Sequence, residues 1–313
     1  MKAVLLKDYG SFEQLSIEDI QKPEINDNQL LVKVYATTVN HLDMKKASGT
    51  AKDKMPITLP WIPGHDFAGV VEEVGKNVPT FKKGDKVYGN SNGGSYAQYL
   101  AADIHKVLKM SDHLSFNEGS AVPHVGETAW QALFTHGQLK KGQSLLIHGA
   151  AGAVGAYAVQ FAHSIGAKVL ATGAAAEIDF IKSLGADEVI DYKTQDFTKE
   201  FKDVDLVLSM VGVETEKRSY EVLKKGGHLV STTGLATADL AKERGVTAIA
   251  MVIEQSAEDL QKITDLIDAG KVKADIAAVF SLDDAVKGWK TLSGDTSVPR
   301  LGHGKIVLEV TKS

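Results

Sequence analysis

Ser144-Leu-Leu-Ile-His-Gly-Ala-Ala-Gly-Ala-Val-Gly155 sets three glycines, Gly149, Gly152 and Gly155, between an apolar strand and a helical pattern. The strand is Leu145 to His148. Apolar residues then recur at Val154, Ala158, Phe161 and Ile165 before Gly166, a C-terminal stop. A strand-to-helix turn this tight needs glycine where a Cβ would clash, and a pyrophosphate must reach backbone N–H groups at the helix N-terminus. Ala153 and Val154 supply those groups. Three glycines alone are a weak signal; the following strand, Lys168 to Thr172, provides the strand–helix–strand context that makes them a dinucleotide-binding turn.

The choice of dinucleotide is read at the end of that second strand, where an acid commonly holds the ribose 2′-OH of NAD. The segment is Ala171-Thr-Gly-Ala-Ala-Ala176, and the nearest acid, Glu177, is expected on the following helix. Without a carboxylate to repel a 2′-phosphate, NADPH is favoured. The phosphate would meet Thr172, backbone N–H groups, Tyr192 or Lys193, although Tyr192 reads equally well as an aromatic covering a sheet edge.

The chain has 313 residues, enough for two domains of ordinary size. Its hydrophobic content of 43% and charged content of 24% fit a globular protein, and no apolar run approaches the roughly 20 residues needed to cross a bilayer. The apolar part of the N-terminus is too short for a secretory signal, so the cytoplasm is the expected location. The absence of cysteine excludes disulfides and thiolate metal sites. A net charge of −5 without a basic block argues against nucleic acid as a partner.

From Met1 to about Lys109 the signals are β-type: Leu30 to Tyr35, Gly69 to Val74, Asp85 to Tyr88 and Tyr96 to Leu100, separated by Gly, Pro, Asn and Asp turns. Short strands at this spacing suggest a barrel. Ser115-Phe-Asn-Glu118 is a capping-box pattern opening a helical stretch to about His136. From Ser144 to about Ile253 strands alternate with helices: 144–148, 168–172, 188–191, 206–210, 228–232 and 247–252. Six strands in this order suit a doubly wound parallel sheet, with ligand at the carboxyl ends of the strands. Loops 209–212 and 231–234 follow two such ends, which makes Val211, Gly212 and Thr233 candidate cofactor contacts. After a helix at 257–269 the chain returns to strand at 277–280 and 304–310. The expected organisation is an α/β protein: residues 1–120 and 271–313 form a β-barrel catalytic domain, and 121–270 form a Rossmann dinucleotide-binding domain.

This order of elements, together with Val39-Asn-His-Leu-Asp-Met-Lys-Lys-Ala-Ser-Gly49, Ile62-Pro-Gly-His-Asp-Phe-Ala-Gly-Val-Val71, Phe81-Lys-Lys-Gly-Asp-Lys-Val87, Gly126-Glu-Thr-Ala-Trp-Gln-Ala-Leu133, Leu184-Gly-Ala-Asp-Glu-Val-Ile-Asp-Tyr192 and Gly304-Lys-Ile-Val-Leu308, resembles the medium-chain dehydrogenase/reductase superfamily. Within it the chain is most similar to the zinc-independent quinone oxidoreductase branch. The resemblance implies a GroES-like barrel beside the Rossmann sheet, and hydride transfer from NADPH to a quinone or an α,β-unsaturated carbonyl compound. It also implies a homodimer. Zinc relatives need Cys and His ligands; here His65 is followed by Asp66 and a residue at or near Asn40 takes the cysteine position, so no metal is expected.

Without a metal, hydrogen-bond donors must stabilise the developing oxyanion. The resemblance makes Asn40 the first candidate and Asp43 its orienting partner, although each also reads as a turn-stabilising residue after a strand. His41 is a second proton-donor candidate that equally reads as an exposed turn residue. Thr128 matches the family's threonine near the cofactor, and Lys305 is a candidate cofactor contact or a surface strand lysine. The expected cofactor site is Thr128, Gly149, Gly152, Ala153, Val154, Gly155, Thr172, Tyr192, Val211, Gly212, Thr233 and Lys305. Two other readings stay open: a metal-dependent alcohol dehydrogenase, and an NADPH-binding sensor or interaction protein without turnover.

Overall fold

Fifteen strands in chain order carry the architecture of the described residues: β1 (Lys2–Leu6), β2 (Leu15–Asp19), β3 (Gln29–Thr38), β4 (Asp66–Val74), β5 (Lys86–Asn90), β6 (Tyr99–Asp103), β7 (Val107–Lys109), β8 (Ser144–His148), β9 (Lys168–Gly173), β10 (Glu188–Asp191), β11 (Val204–Ser209), β12 (Leu223–Ser231), β13 (Thr247–Ala250), β14 (Ile276–Ser281) and β15 (Lys305–Glu309). They belong to a computed structural model that describes residues 1–295, 297–298 and 302–311. Positions 296, 299–301 and 312–313 of the expected C-terminal segment lie outside the described residues. The chain divides into two compact units, one of residues 1–124, 255–264 and 274–313, the other of residues 125–254 and 265–273.

In the first unit a seven-stranded sheet runs β14-β15-β3-β4-β5-β7, with β6 also paired to β3. Its pairings are antiparallel except for β14 with β15. The β1–β2 ribbon joins it through bridges Ala3↔Ala97 and Leu6↔Trp61. Leu30, Val32 and Val34 alternate along β3 into a core with Phe67, Val71, Val87 and Leu100, as a half-buried strand requires. The antiparallel pairs Val307↔Thr38 and Leu308↔Thr37 run the C-terminal end of β3 toward the start of β15, which puts Lys305 beside Val39 and Asn40. Helix α1 (His41–Ala47) follows β3 directly.

In the second unit all strands are parallel in the order β10-β9-β8-β11-β12-β13, the doubly wound arrangement whose ligand crevice opens where the order reverses, beside β8. The strand interiors read as continuous apolar runs because helices cover both faces.

The helical stretch expected to about His136 is divided into α2 (Phe116–Ser120), α3 (Pro123–Trp130) and a π-helical stretch Gln131–His136. Pro123 has no N–H to continue α2 and instead begins α3, where that donor is not needed. The strand expected at 96–100 lies at 99–103, and β13 stops at Ala250, with Val252 exposed beyond it.

Candidate functional site

The turn after β8 has the geometry its glycines imply. Gly149 has φ +89°, and a Cβ on Gly155 would stand 2.3 Å from the Gly149 carbonyl oxygen and 2.7 Å from Ala150 Cα. Gly155 therefore lets helix α4 (Ala153–Ser164) seat against the turn. Gly152 is its N-cap, which leaves the first-turn N–H groups of Ala153 and Val154 without intrahelical partners.

A cavity of about 420 Å³ opens at the carboxyl ends of β8, β9 and β11. Gly149, Thr172, Tyr192 and Val211 line it, together with His148, Glu177, Gln195, Phe197 and Arg218. Gly152, Gly212 and Thr233 lie on turns or loops, and Ala153, Val154 and Gly155 in the first turn of α4, rather than in its wall. Thr233 Oγ1 donates to the Val211 carbonyl (3.3 Å), joining the two loops that follow β11 and β12. Thr128 is buried on α3.

Glu177 corrects the sequence reading. It ends a short 3₁₀ turn, Ala175–Glu177, and its Oε2 folds back to accept from the Ala174 N–H at 2.9 Å, so the carboxylate lines the cavity. The expectation of no acid at this position fails because a side chain three residues on can cap the turn that precedes it.

His148, buried at the end of β8, has Nδ1 3.0 Å from Thr172 Oγ1 and Nε2 3.2 Å from Ser219 Oγ. Ser219 spends its proton on the Thr215 carbonyl (2.7 Å), so His148 carries its proton on Nε2 and Nδ1 accepts from Thr172. Burial lowers the His148 pKa to about 3, with the Arg218 charge adding to the effect, and the ring stays neutral. Arg218 pairs with Asp196 and lies 5.0 Å from the Phe197 ring centroid.

The first unit holds a second constellation, deeply buried. Asp66, at the start of β4, accepts from Thr38 Oγ1 (2.5 Å) and Asn40 Nδ2 (2.8 Å) at Oδ2 and from the His124 backbone N–H (2.8 Å) at Oδ1. Lys305 Nζ donates to Asn40 Oδ1 (2.5 Å) and the Val39 carbonyl (3.2 Å), and lies 3.5 Å from Asp66 Oδ2. Lys305 is thus neither a surface residue nor open to solvent; it is only 3% exposed. Burial alone would raise the Asp66 pKa, but Lys305, His124 and the Asn40 and Thr38 hydrogen bonds hold it below the usual carboxylate range. Burial lowers the Lys305 pKa against the opposing pull of Asp66 and Asp43. Burial also takes His124 down to about 4, partly offset by Asp66.

Asp43 sits in the first turn of α1, where its Oδ2 accepts from the Asn40 N–H (3.2 Å). Its Oδ1 accepts from the Gly64 N–H (2.9 Å) and faces His65 Nδ1 at 2.7 Å. A carboxylate there fixes the His65 proton on Nδ1 and turns Nε2, as an acceptor, to Lys46 Nζ at 2.9 Å. Lys46 is half-buried, which lowers its pKa; Lys106 adds to this and Asp43 opposes it. His41 is exposed at the start of α1. Trp61 lines a separate cavity of about 450 Å³ with Pro60, Asn92 and Lys106.

Sequence reasoning missed Thr38, Lys46, His148, Gln195, Phe197 and Arg218. Thr37-Thr38 closing an apolar strand was a usable signal. Arg218 had none, since it reaches the cavity from a helix 46 residues beyond Thr172.

Residues 26–112 match the alcohol dehydrogenase GroES-like domain, and residues 184–308 match the zinc-binding dehydrogenase family. The 2-methylene-furan-3-one reductase of Solanum lycopersicum is 34% identical over 322 residues, 98% of this chain and 79% of that protein. This chain belongs to the medium-chain dehydrogenase/reductase superfamily, in its quinone oxidoreductase branch. The Homo sapiens quinone oxidoreductase is 33% identical over 86% of each chain. The quinone oxidoreductase structure from Coxiella burnetii superposes with a TM-score of 0.91 at 31% identity over 99% of both chains. The Escherichia coli quinone oxidoreductase complexed with NADPH gives 0.89 at 26% identity, covering 99% of this chain and 100% of that one. The fold is that of the branch, an α/β protein with a GroES-like domain and a Rossmann parallel sheet.

Residues here do not fit the zinc that one family description carries. The chain has no thiolate, the lone pair of His65 Nε2 faces the Lys46 ammonium, and the Asp66 carboxylate accepts three hydrogen bonds and pairs with Lys305. Among the described residues no three His, Cys, Asp or Glu side chains gather as a metal would require.

Proposed function

We propose that this medium-chain reductase uses NADPH to reduce a quinone or an α,β-unsaturated carbonyl compound without a metal ion. The carrying observation is the Gly149–Gly155 turn, whose tight seat against α4 and free first-turn N–H groups suit a pyrophosphate, beside a cavity of matching position in a doubly wound sheet. The NADPH named for the Escherichia coli relative and the reactions named for the tomato and human relatives support the same reading.

Gly149, Gly152, Ala153, Val154 and Gly155 cradle the phosphates. Thr172 and Tyr192 face the adenosine ribose, and Val211, Gly212 and Thr233 follow the two strand ends nearer the nicotinamide. Thr128 is the remaining cofactor residue of the second unit; Lys305, buried on Asn40 and Asp66, positions Asn40. The bound cofactor supplies the hydride; the chain supplies a proton and charge stabilisation. Asn40 spends one amide N–H on Asp66 and keeps the other for the oxyanion of the reduced acceptor. Asp43 is a positioning residue: it fixes the His65 tautomer, and His65 holds Lys46, whose lowered pKa suits a proton donor. The GroES-like domain is the acceptor-binding domain, the protein works as a homodimer, and its location is the cytoplasm. Among the described residues no helix is long and apolar enough to cross a membrane.

The test is NADPH consumption by chelator-treated protein offered an ortho-quinone and, in parallel, a short α,β-unsaturated ketone. Turnover with either supports a metal-free reductase, and the faster acceptor assigns the substrate class. Cofactor binding without turnover would favour the sensor reading, and activity regained only with added zinc would favour an alcohol dehydrogenase.

A further inference from the structure

We infer that the cavity at the end of β9 is built for a ribose 2′-hydroxyl as much as for a 2′-phosphate, so that NADH serves this enzyme about as well as NADPH, with Glu177 as the residue that sets the balance. The inference rests on the reading of this cavity as the dinucleotide site.

A 2′-phosphate needs donors and positive charge, whereas a 2′-hydroxyl needs an acceptor for its proton. The proton chain through His148 decides what Thr172 offers. Ser219 donates to the Thr215 carbonyl, His148 Nε2 donates to Ser219, and His148 Nδ1 therefore takes the Thr172 hydroxyl proton. Because burial keeps the imidazole neutral, this order is fixed across the physiological range. Thr172 thus meets the cavity with lone pairs rather than with a proton.

Glu177 adds a second acceptor. Its Oε2 is committed to the Ala174 N–H, but Oε1 makes no hydrogen bond among the described residues, and the side chain is half-buried in the cavity wall. At this place a carboxylate repels a phosphate dianion and accepts from a hydroxyl. Gly173 leaves room for the Ile181 side chain, since a Cβ there would stand 2.5 Å from Ile181 Cδ1.

Arg218 is the one cation among the described residues lining the cavity. It is already paired with Asp196 and stacked on Phe197, so its charge is partly spent before any ligand arrives. One shared cation against one carboxylate leaves little net attraction for a phosphate.

The test is titration of the whole protein with NADPH and with NADH, followed by protein fluorescence, for the wild type, Glu177→Gln and Arg218→Gln. Glutamine keeps an acceptor for the Ala174 N–H, and a melting curve for each variant checks the fold. The wild type should bind the two dinucleotides within about tenfold of each other. Glu177→Gln should move the ratio roughly three- to tenfold toward NADPH, and Arg218→Gln should move it toward NADH. Preference for NADPH beyond about tenfold in the wild type, or a ratio unmoved in folded Glu177→Gln, would overturn the inference while leaving the cofactor site standing. Failure of both dinucleotides to bind would overturn the underlying reading instead.

Discussion

In the antiparallel unit, Asn40, Asp43, His65, Asp66 and Lys305 turn their polar atoms on one another, whereas in the parallel unit Thr172, Glu177 and Arg218 line open space. The first arrangement is a knot that answers each of its charges inside the protein and leaves over one amide N–H of Asn40. The second leaves acceptors and a cation to be answered by a ligand. Groups saturated inside the protein hold shape and position, and those left facing a cavity hold specificity. The comparison separates residues whose loss should be felt in stability from those whose loss should be felt in binding.

The largest expected effect lies in the knot. Lys305→Met leaves the Asp66 carboxylate buried without its counter-ion and should lower the unfolding free energy by about 3–5 kcal/mol, measured by urea denaturation. Adding Asp66→Asn should return part of that loss, because it removes the stranded charge; a double variant no more stable than the single one would break the picture of a coupled pair.

Gly155→Ala comes next. The new methyl meets backbone at 2.3 Å, so the turn must open, at about 1–3 kcal/mol of stability and at least about tenfold in NADPH affinity. Unchanged cofactor binding, by fluorescence titration, would detach this turn from the site.

The two buried histidines give a pH dependence of about 1.4 kcal/mol per pH unit each. The folded state keeps His124 and His148 neutral, down to about pH 4 and about pH 3, while the unfolded chain takes up protons below about 6.5. Their contribution is therefore full above pH 6.5 and falls as the solution is acidified toward those values. Urea unfolding at pH 7, 6 and 5 should show this slope, and His148→Gln should flatten it.

Asp43→Asn is expected to cost about 1–2 kcal/mol, since the amide oxygen still accepts from Gly64 and His65 but without charge, while the new NH2 faces the Asn40 N–H that Oδ2 had accepted. Its role as a positioning residue predicts a fall in kcat with KM little changed. A change in KM alone would place Asp43 in acceptor binding.

Most of the second unit was legible in the sequence because a parallel sheet writes each strand as a continuous apolar run: 144–148 and 188–191 fall where the strands lie, and 168–172 is one residue short. The glycine turn was legible because its chemistry is local. Glu177 was misread because a capping carboxylate acts three residues back along the chain. The Lys46–His65 contact and the Arg218 wall are long-range juxtapositions, which single-residue patterns do not record. Lys305 reads equally as a cofactor contact or a surface strand lysine, because its partners Val39, Asn40 and Asp66 are more than 230 residues away in sequence.

The most direct measurement is the fate of the hydride. Chelator-treated protein is given NADPH deuterated at the transferable C4 position and a short α,β-unsaturated ketone, and the product is read by NMR. The account predicts deuterium on the β-carbon and a solvent-derived proton on the α-carbon. A saturated product without deuterium, or reduction that returns only when zinc is added, would contradict it.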